Sequence, residues 1–241
     1  MFDASRRRWH ILWPMTTTKA GSDAKDTERR DDILNVLILM AAASAIGVYL
    51  IATTVLISKD GVTYIELARR FSSEPLAVIR NISFGYPFLV FTTHKLAVAF
   101  GAGSSALSWI YSAQGVTLLC RVLALIPLYF IGKLLVGSTR SFRALVILAF
   151  LPYPAQFGSD TLRDWPHILF LAAGLWFLFW GARDGKCWMF GVSGLIAGLG
   201  HLIRPECAQV VVYGTIWLLM RLMASERPMK KFAIGALAGG L

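Results

Sequence analysis

The feature that most constrains this chain is a series of apolar runs of about 17–25 residues, each with little or no charge. A hydrocarbon core of ~30 Å demands that length of a helix, because in lipid every backbone N–H and C=O must be satisfied within the segment. The clearest run is Ile33–Ile57, closed at once by Lys59 and Asp60. Further runs are Leu107–Ile131, Ala144–Ser159, Trp165–Ala182, Cys187–Ile203 and Cys207–Met223, and another begins at Phe232. The expected fold class is therefore an all-α polytopic membrane protein, with its last helix truncated at Leu241. The 56% hydrophobic composition agrees, since soluble domains hold less and interleave it with charge.

The formal charge of +10 raises nucleic acid as a partner. The basic residues, however, sit in short segments between apolar runs, as positive-inside topology places them. No nucleic-acid partner is expected. Residues 1–32 precede the first run and are too long for the charged start of a cleavable signal. They read as a basic, disordered cytoplasmic tail held by Arg6, Arg7 and Arg8, and residues 33–241 as the multi-span domain. Cys120, Cys187 and Cys207 have no metal-ligand spacing and read as small apolar fillers.

Gly85–Gly101 is apolar but carries His94 and Lys95. Were it to span, every later helix would invert. Keeping it on the outer side leaves Lys133, Arg140, Arg143, Arg183, Lys186, Arg221, Arg227, Lys230 and Lys231 in inner loops. Only Arg163 and Arg204 then fall in the later outer ones. That bias favours an interfacial or re-entrant piece, within a first outer loop of residues 57–106. Asp60, Glu66, Glu74, Asp160, Asp164 and Glu206 then share the outer face.

Three outer segments carry candidate chemistry. In Ser58–Phe71, the stripe Val62, Ile65, Ala68 and Phe71 describes an amphipathic helix lying on the membrane. Asp60 stands at its start, where a carboxylate serves as a cap or as a base. Glu66 is placed to pair with Arg69 or Arg70. In Ser159–Pro166, Asp160, Arg163 and Asp164 follow at i, i+3 and i+4, so that one helical face would present acid, base and acid. In His201–Glu206, Arg204 emerges from a glycine-rich span whose Gly194 and Gly198 would let helices approach closely. Its planar fork suits headgroup contact or a phosphate. Arg121, near mid-membrane, must face protein or water. His167 and His201 read as structural, Trp109 and Trp165 as interfacial belt residues.

In order along the chain, DGVTYIELARRF, FGYPFLVFTTHKLAVAFG, SDTLRD and GLIAGLGHLIRPE resemble the GT-C membrane glycosyltransferases, particularly bacterial relatives of the protein O-mannosyltransferases and the aminoarabinose transferases. The resemblance covers about Asp60–Glu206. It implies a transmembrane helix bundle with surface helices in the first outer loop. It also implies transfer of a sugar from a polyprenyl-phosphate donor to a lipid, glycan or protein acceptor at the outer face of a bacterial inner membrane. A first-loop carboxylate serves such enzymes as base, and Asp60 matches it. A second acidic position is matched by Asp160 or Asp164. Tyr86–Pro87 occupies the place of a proline-bearing loop, without the family's doubled proline, and Lys95 follows it. Phosphate contacts are expected from Arg204, Arg163 and Lys95; a divalent cation is left open, since relatives differ. The competing classes are a transporter or flippase subunit, which would show paired inverted repeats, and a non-catalytic membrane scaffold.

Overall fold

A computed structural model describes residues 20–53, 57–80 and 83–224, the side chains of residues 20–25 and 224 excepted. Among these residues all regular structure is helical. In chain order the helices are α1 (Ala20–Thr53), α2 (Lys59–Arg70), α3 (Pro75–Ile79), α4 (Gly85–Ala99), α5 (Ala106–Val136), α6 (Ser138–Phe150), α7 (Pro152–Phe157), α8 (Asp164–Asp184), α9 (Cys187–His201) and α10 (Gln209–Ala224), with a 3₁₀ turn at Pro205–Ala208 before α10. Arg6, Arg7 and Arg8, and the run from Phe232, lie outside the described residues.

Four stretches are long and apolar enough to cross a membrane: Asp26–Thr53, Ala106–Val136, Asp164–Asp184 and Pro205–Met223. Cys187–His201 is apolar but shorter. The all-α polytopic class holds. Two details differ from the sequence reading. Residues 20–32, read as part of a disordered tail, are helical and continue into the first span, where Arg29 and Arg30 follow Asp26 at i+3 and i+4. Contacts divide the chain into a first unit, Met1–Asn35, and a second, Val36–Leu241; the described part of the first is this charged opening of α1.

The Ala144–Ser159 run is also not one helix. It breaks at Leu151, whose backbone is extended at φ −63°, ψ 132°, and resumes as α7. Pro152 and Pro154 lack the N–H groups a continuous helix would need, and a residue before proline disfavours the helical region.

Within the second unit α5 is the central helix. α6 turns back along it, with Gly132 against Ser141 and the Arg121 guanidinium against Ala149. α8 then runs in the same direction as α5: Thr117 meets Leu162, and Phe130 stacks on Trp176. α9 returns along α8, from Gly181 against Phe190 to Gly200 against Phe170. α10 runs parallel to α8, with Val210 at Gly174 and Trp217 at Phe190. One core joins Leu39, Ala43, Leu125, Tyr129 and Leu145; another joins Leu178, Phe190, Ala197, Val210 and Leu218.

These directions sort the charges. Lys133, Arg140, Arg143, Arg183, Lys186 and Arg221 fall at one end of the bundle, at helix ends. The start of α2, the turn before α8 and the turn between α9 and α10 meet at the other. α4 flanks only the first third of α5, with Tyr86 at Ala113 and Thr117 and His94 at Ser108. Close approach comes at Gly200, where a Cβ would lie 2.6 Å from Cys207 Sγ, rather than at Gly198, which faces open space.

Candidate functional site

The site begins with the cap of α2. Ser58 is extended, and its hydroxyl accepts a hydrogen bond from Gly61 N at 3.1 Å, so the helix starts at a defined point. Asp60 is the second residue of α2; it is exposed. The buried face runs through Gly61, Ala68 and Phe71 with Tyr64 and Ile65 half-buried, whereas Val62, expected in the stripe, is exposed. A period of 3.6 rather than three selects this face. Glu66 pairs with Arg70 at i, i+4.

Gly61 seats α2 on the turn before α8. A Cβ there would lie 1.7 Å from Thr161 Oγ1 and 2.9 Å from Thr161 O. Beside this contact Asp160 is buried, and its Oδ1 accepts from Ser58 N (3.2 Å), Thr161 N (2.6 Å) and Thr161 Oγ1 (3.3 Å). It clasps the two segments together. α8 begins only at Asp164, so Asp160, Arg163 and Asp164 do not share a helical face as the sequence spacing suggested. Backbone donors take the Asp160 carboxylate and hold its turn out of the helix.

The other charged residues arrive from two directions. Arg163 lies with its guanidinium carbon 5.7 Å from the centre of the Tyr64 ring. Asp164 Oδ1 accepts from Arg204 Nη1 at 2.6 Å. Arg204 Nε is 3.3 Å from Glu206 Oε1, a second ion pair on the same guanidinium. Arg204 is delivered by the turn between α9 and α10, onto which α4 also docks: Gly85 N donates to Leu202 O at 2.8 Å. Of the six expected residues, Arg163 lies over the Tyr64 ring, Asp60 stands one helical turn before Tyr64 on α2, and Asp164, next to Arg163 in the chain, is ion-paired with Arg204. Tyr64 lies within electrostatic reach of Asp60, Arg163, Asp164 and Arg204, and packs edge-on against Tyr86 at 5.3 Å. Burial, ahead of the opposing Arg163 charge, raises its pKa above 10.0 and keeps the phenol a hydrogen-bond donor.

The sequence reading passed over Tyr64, although its position at i+4 from Asp60 puts both on one helical face. Asp160 stands at the wall of this cluster. Lys95 does not join it: the residue sits nine positions along α4 from Tyr86, about 13 Å of helical rise, with its ammonium 5.5 Å from the Phe91 ring centre. Trp165 is buried and donates to Pro154 O at 3.1 Å, and Trp109 stacks on His94 at 3.6 Å. Trp165 therefore lies inside the protein rather than in a belt, whereas Trp109 is half-buried near the start of α5. His167 and Cys207 contact one another at 3.2 Å. Among the described residues no three His, Cys, Asp or Glu side chains gather to hold a metal ion.

Adjoining the clasp is a hollow of about 620 Å³. Ile46, Tyr49 and Leu50 of α1 and Phe150 and Ala155 across the α6–α7 break line it, with Ser159 and Asp160 at its polar end. An apolar hollow with Gln156, Ser159 and Asp160 at one end suits a long apolar chain.

The chain matches, over residues 108–240, the model of a family described as dolichyl-phosphate-mannose-protein mannosyltransferase. The matched stretch opens within α5 and takes in Asp160, Arg163, Asp164 and Arg204; Asp60 and Tyr64 precede it. No curated protein and no solved structure matches.

Proposed function

Since the chain belongs to the dolichyl-phosphate-mannose-protein mannosyltransferase family, and so to the GT-C type of membrane glycosyltransferases, we propose that it moves a sugar from a polyprenyl-phosphate donor to an acceptor hydroxyl at the outer face of the inner membrane. The acceptor hydroxyl belongs to a lipid, a glycan or a protein. Its oxygen attacks the anomeric carbon, and the bond from that carbon to the phosphate oxygen breaks. The electron pair leaves on the lipid phosphate, and the hydroxyl proton passes to Asp60 as general base.

The observation that carries this reading is geometric: Asp160 ties the start of α2, which bears Asp60, to the turn that leads to Arg163 and Asp164, Arg163 lies over the Tyr64 ring, and Asp164 is ion-paired with Arg204. Asp60 is exposed at a helix start, so a bound acceptor can reach its carboxylate. Asp164 orients the Arg204 fork, an arrangement suited to a leaving phosphate. Arg163 is close enough to share that charge. The neutral Tyr64 hydroxyl is a donor for the sugar or the phosphate, and Asp160 sets the position of α2. The hollow beside Asp160 is of a kind to receive the polyprenyl chain near its head. Placement at the outer face, with the N-terminus cytoplasmic, is supported by the basic residues at the opposite end of the bundle.

The test is transfer of a labelled sugar from a polyprenyl-phosphate donor by the full-length protein in proteoliposomes. Asp60→Asn keeps the size of the side chain and removes the base; transfer should slow by about 10²–10⁴-fold. Undiminished transfer by this variant would overturn the assignment of Asp60.

A further inference from the structure

Arg121 is one of the largest fully buried side chains, 1% exposed, and it lies midway along a membrane-spanning helix. Among the described residues it has no carboxylate partner. Its Nη2 donates to Ala149 O at 2.9 Å and its Nη1 to Ala155 O at 3.4 Å. Its guanidinium carbon lies 5.9 Å from the centre of the Trp165 ring. The two carbonyls stand on either side of the α6–α7 break, where Pro152 and Pro154 bring no N–H groups. Trp165 donates to a third carbonyl there, that of Pro154.

An ionisable group inside a membrane protein is costly, and a straight helix would satisfy these carbonyls without it. What the arginine adds is position. Gly158 rests on its stem: a Cβ at that residue would lie 2.1 Å from Arg121 Cδ. Ser159 then bonds back to Ala155 O at 3.0 Å, and the next residue is Asp160, which holds Ser58 N at the start of α2. A continuous path therefore runs from Arg121 through the break and Gly158 to Asp160, and from there to the segment bearing Asp60.

We infer that Arg121 is a positioning residue: it fixes the broken α6–α7 segment so that the Asp160 clasp places Asp60 for sugar transfer. The catalytic half of this statement rests on the function proposed above. The structural half does not, and one experiment reads both. The full chain is placed in lipid nanodiscs as wild type, Arg121→Met and Arg121→Lys. Hydrogen exchange is followed at the amides of Ser58 and Thr161, the two backbone donors to Asp160. Exchange at both should accelerate at least about tenfold in Arg121→Met and fall back toward wild type in Arg121→Lys. Unchanged exchange would overturn the coupling whether or not the protein transfers sugar.

In the transfer assay Arg121→Met should lower kcat about tenfold or more with little change in donor KM, and Arg121→Lys should recover part of the loss. Arg121→Met combined with Asp160→Asn should be no slower than the worse single variant; losses that multiply would show that Arg121 does not act through Asp160. Absence of transfer by the wild type would remove the proposed function and leave the exchange result standing. If Arg121→Met does not fold, Gly158→Ala presses on the same stem and should give the same two signatures; wild-type exchange and kcat in that variant would count against the proposal.

Discussion

Tyr64 lies under Arg163 and one helical turn from Asp60, and its hydroxyl is the natural place to probe the candidate site. Tyr64→Phe keeps the ring against Tyr86 and beneath Arg163 while removing the donor. Transfer should fall by roughly tenfold, the worth of about one hydrogen bond, with the fold intact; steady-state kinetics with a thermal melt checks both. Burial favours the neutral phenol, so the folded pKa lies above 10.0. The folded state therefore binds this proton more tightly than the unfolded one. Its contribution to stability is whole below the unfolded pKa and is lost as pH rises through the folded value. A difference tyrosinate titration of wild type against Tyr64→Phe should show one phenol ionising later than a free tyrosine. At this scale much was legible in the sequence, because Asp60, Asp164 and Arg204 stand out against an apolar background. Tyr64 did not stand out, since a tyrosine near a membrane edge is ordinary. Nor did the role of Asp160, because a carboxylate taken up by backbone donors has the same spacing as one left free.

Among the elements, α2 and the turn before α8 act as a pair, and Gly61 is the point where they touch. Gly61→Ala would force its methyl into Thr161, whose backbone oxygen is also within 2.9 Å. The two segments must part. The expected result is a loss of about 1–3 kcal/mol in stability, together with slower transfer although Asp60 is untouched; a melt and a kcat measurement read the two effects. Apolar periodicity announced α2 as a surface helix, yet the buried face was misplaced at Val62. A short helix allows several stripes, and only packing against Tyr86 and Ala113 selects one. The break in Ala144–Ser159 was written in Pro152 and Pro154, but hydropathy over a long window sums across prolines and reports one run. The long helices α1, α5 and α8 were plain for the opposite reason: their lengths leave few alternatives in lipid.

Across the whole molecule the account depends on charge being sorted between two ends of one bundle. Lys133, Arg140, Arg143, Arg183, Lys186 and Arg221 gather at one, and Asp60, Asp164 and Arg204 at the other. Loop charges in the sequence argue for this arrangement only if Gly85–Gly101 is kept from crossing. The packing of α4 against the first third of α5 supplies a reason that the loop charges lack. The most direct measurement is side-resolved labelling in intact cells with a membrane-impermeant thiol reagent, after Cys187, the exposed native cysteine, is replaced by serine. Single cysteines at Asp60, Asp164 and Arg204 should react from outside, while those at Arg140, Arg183 and Arg221 should react only once the membrane is opened. Labelling of Asp60 from one side and Arg204 from the other would contradict the account, since no single lipid-linked sugar could then lie between them.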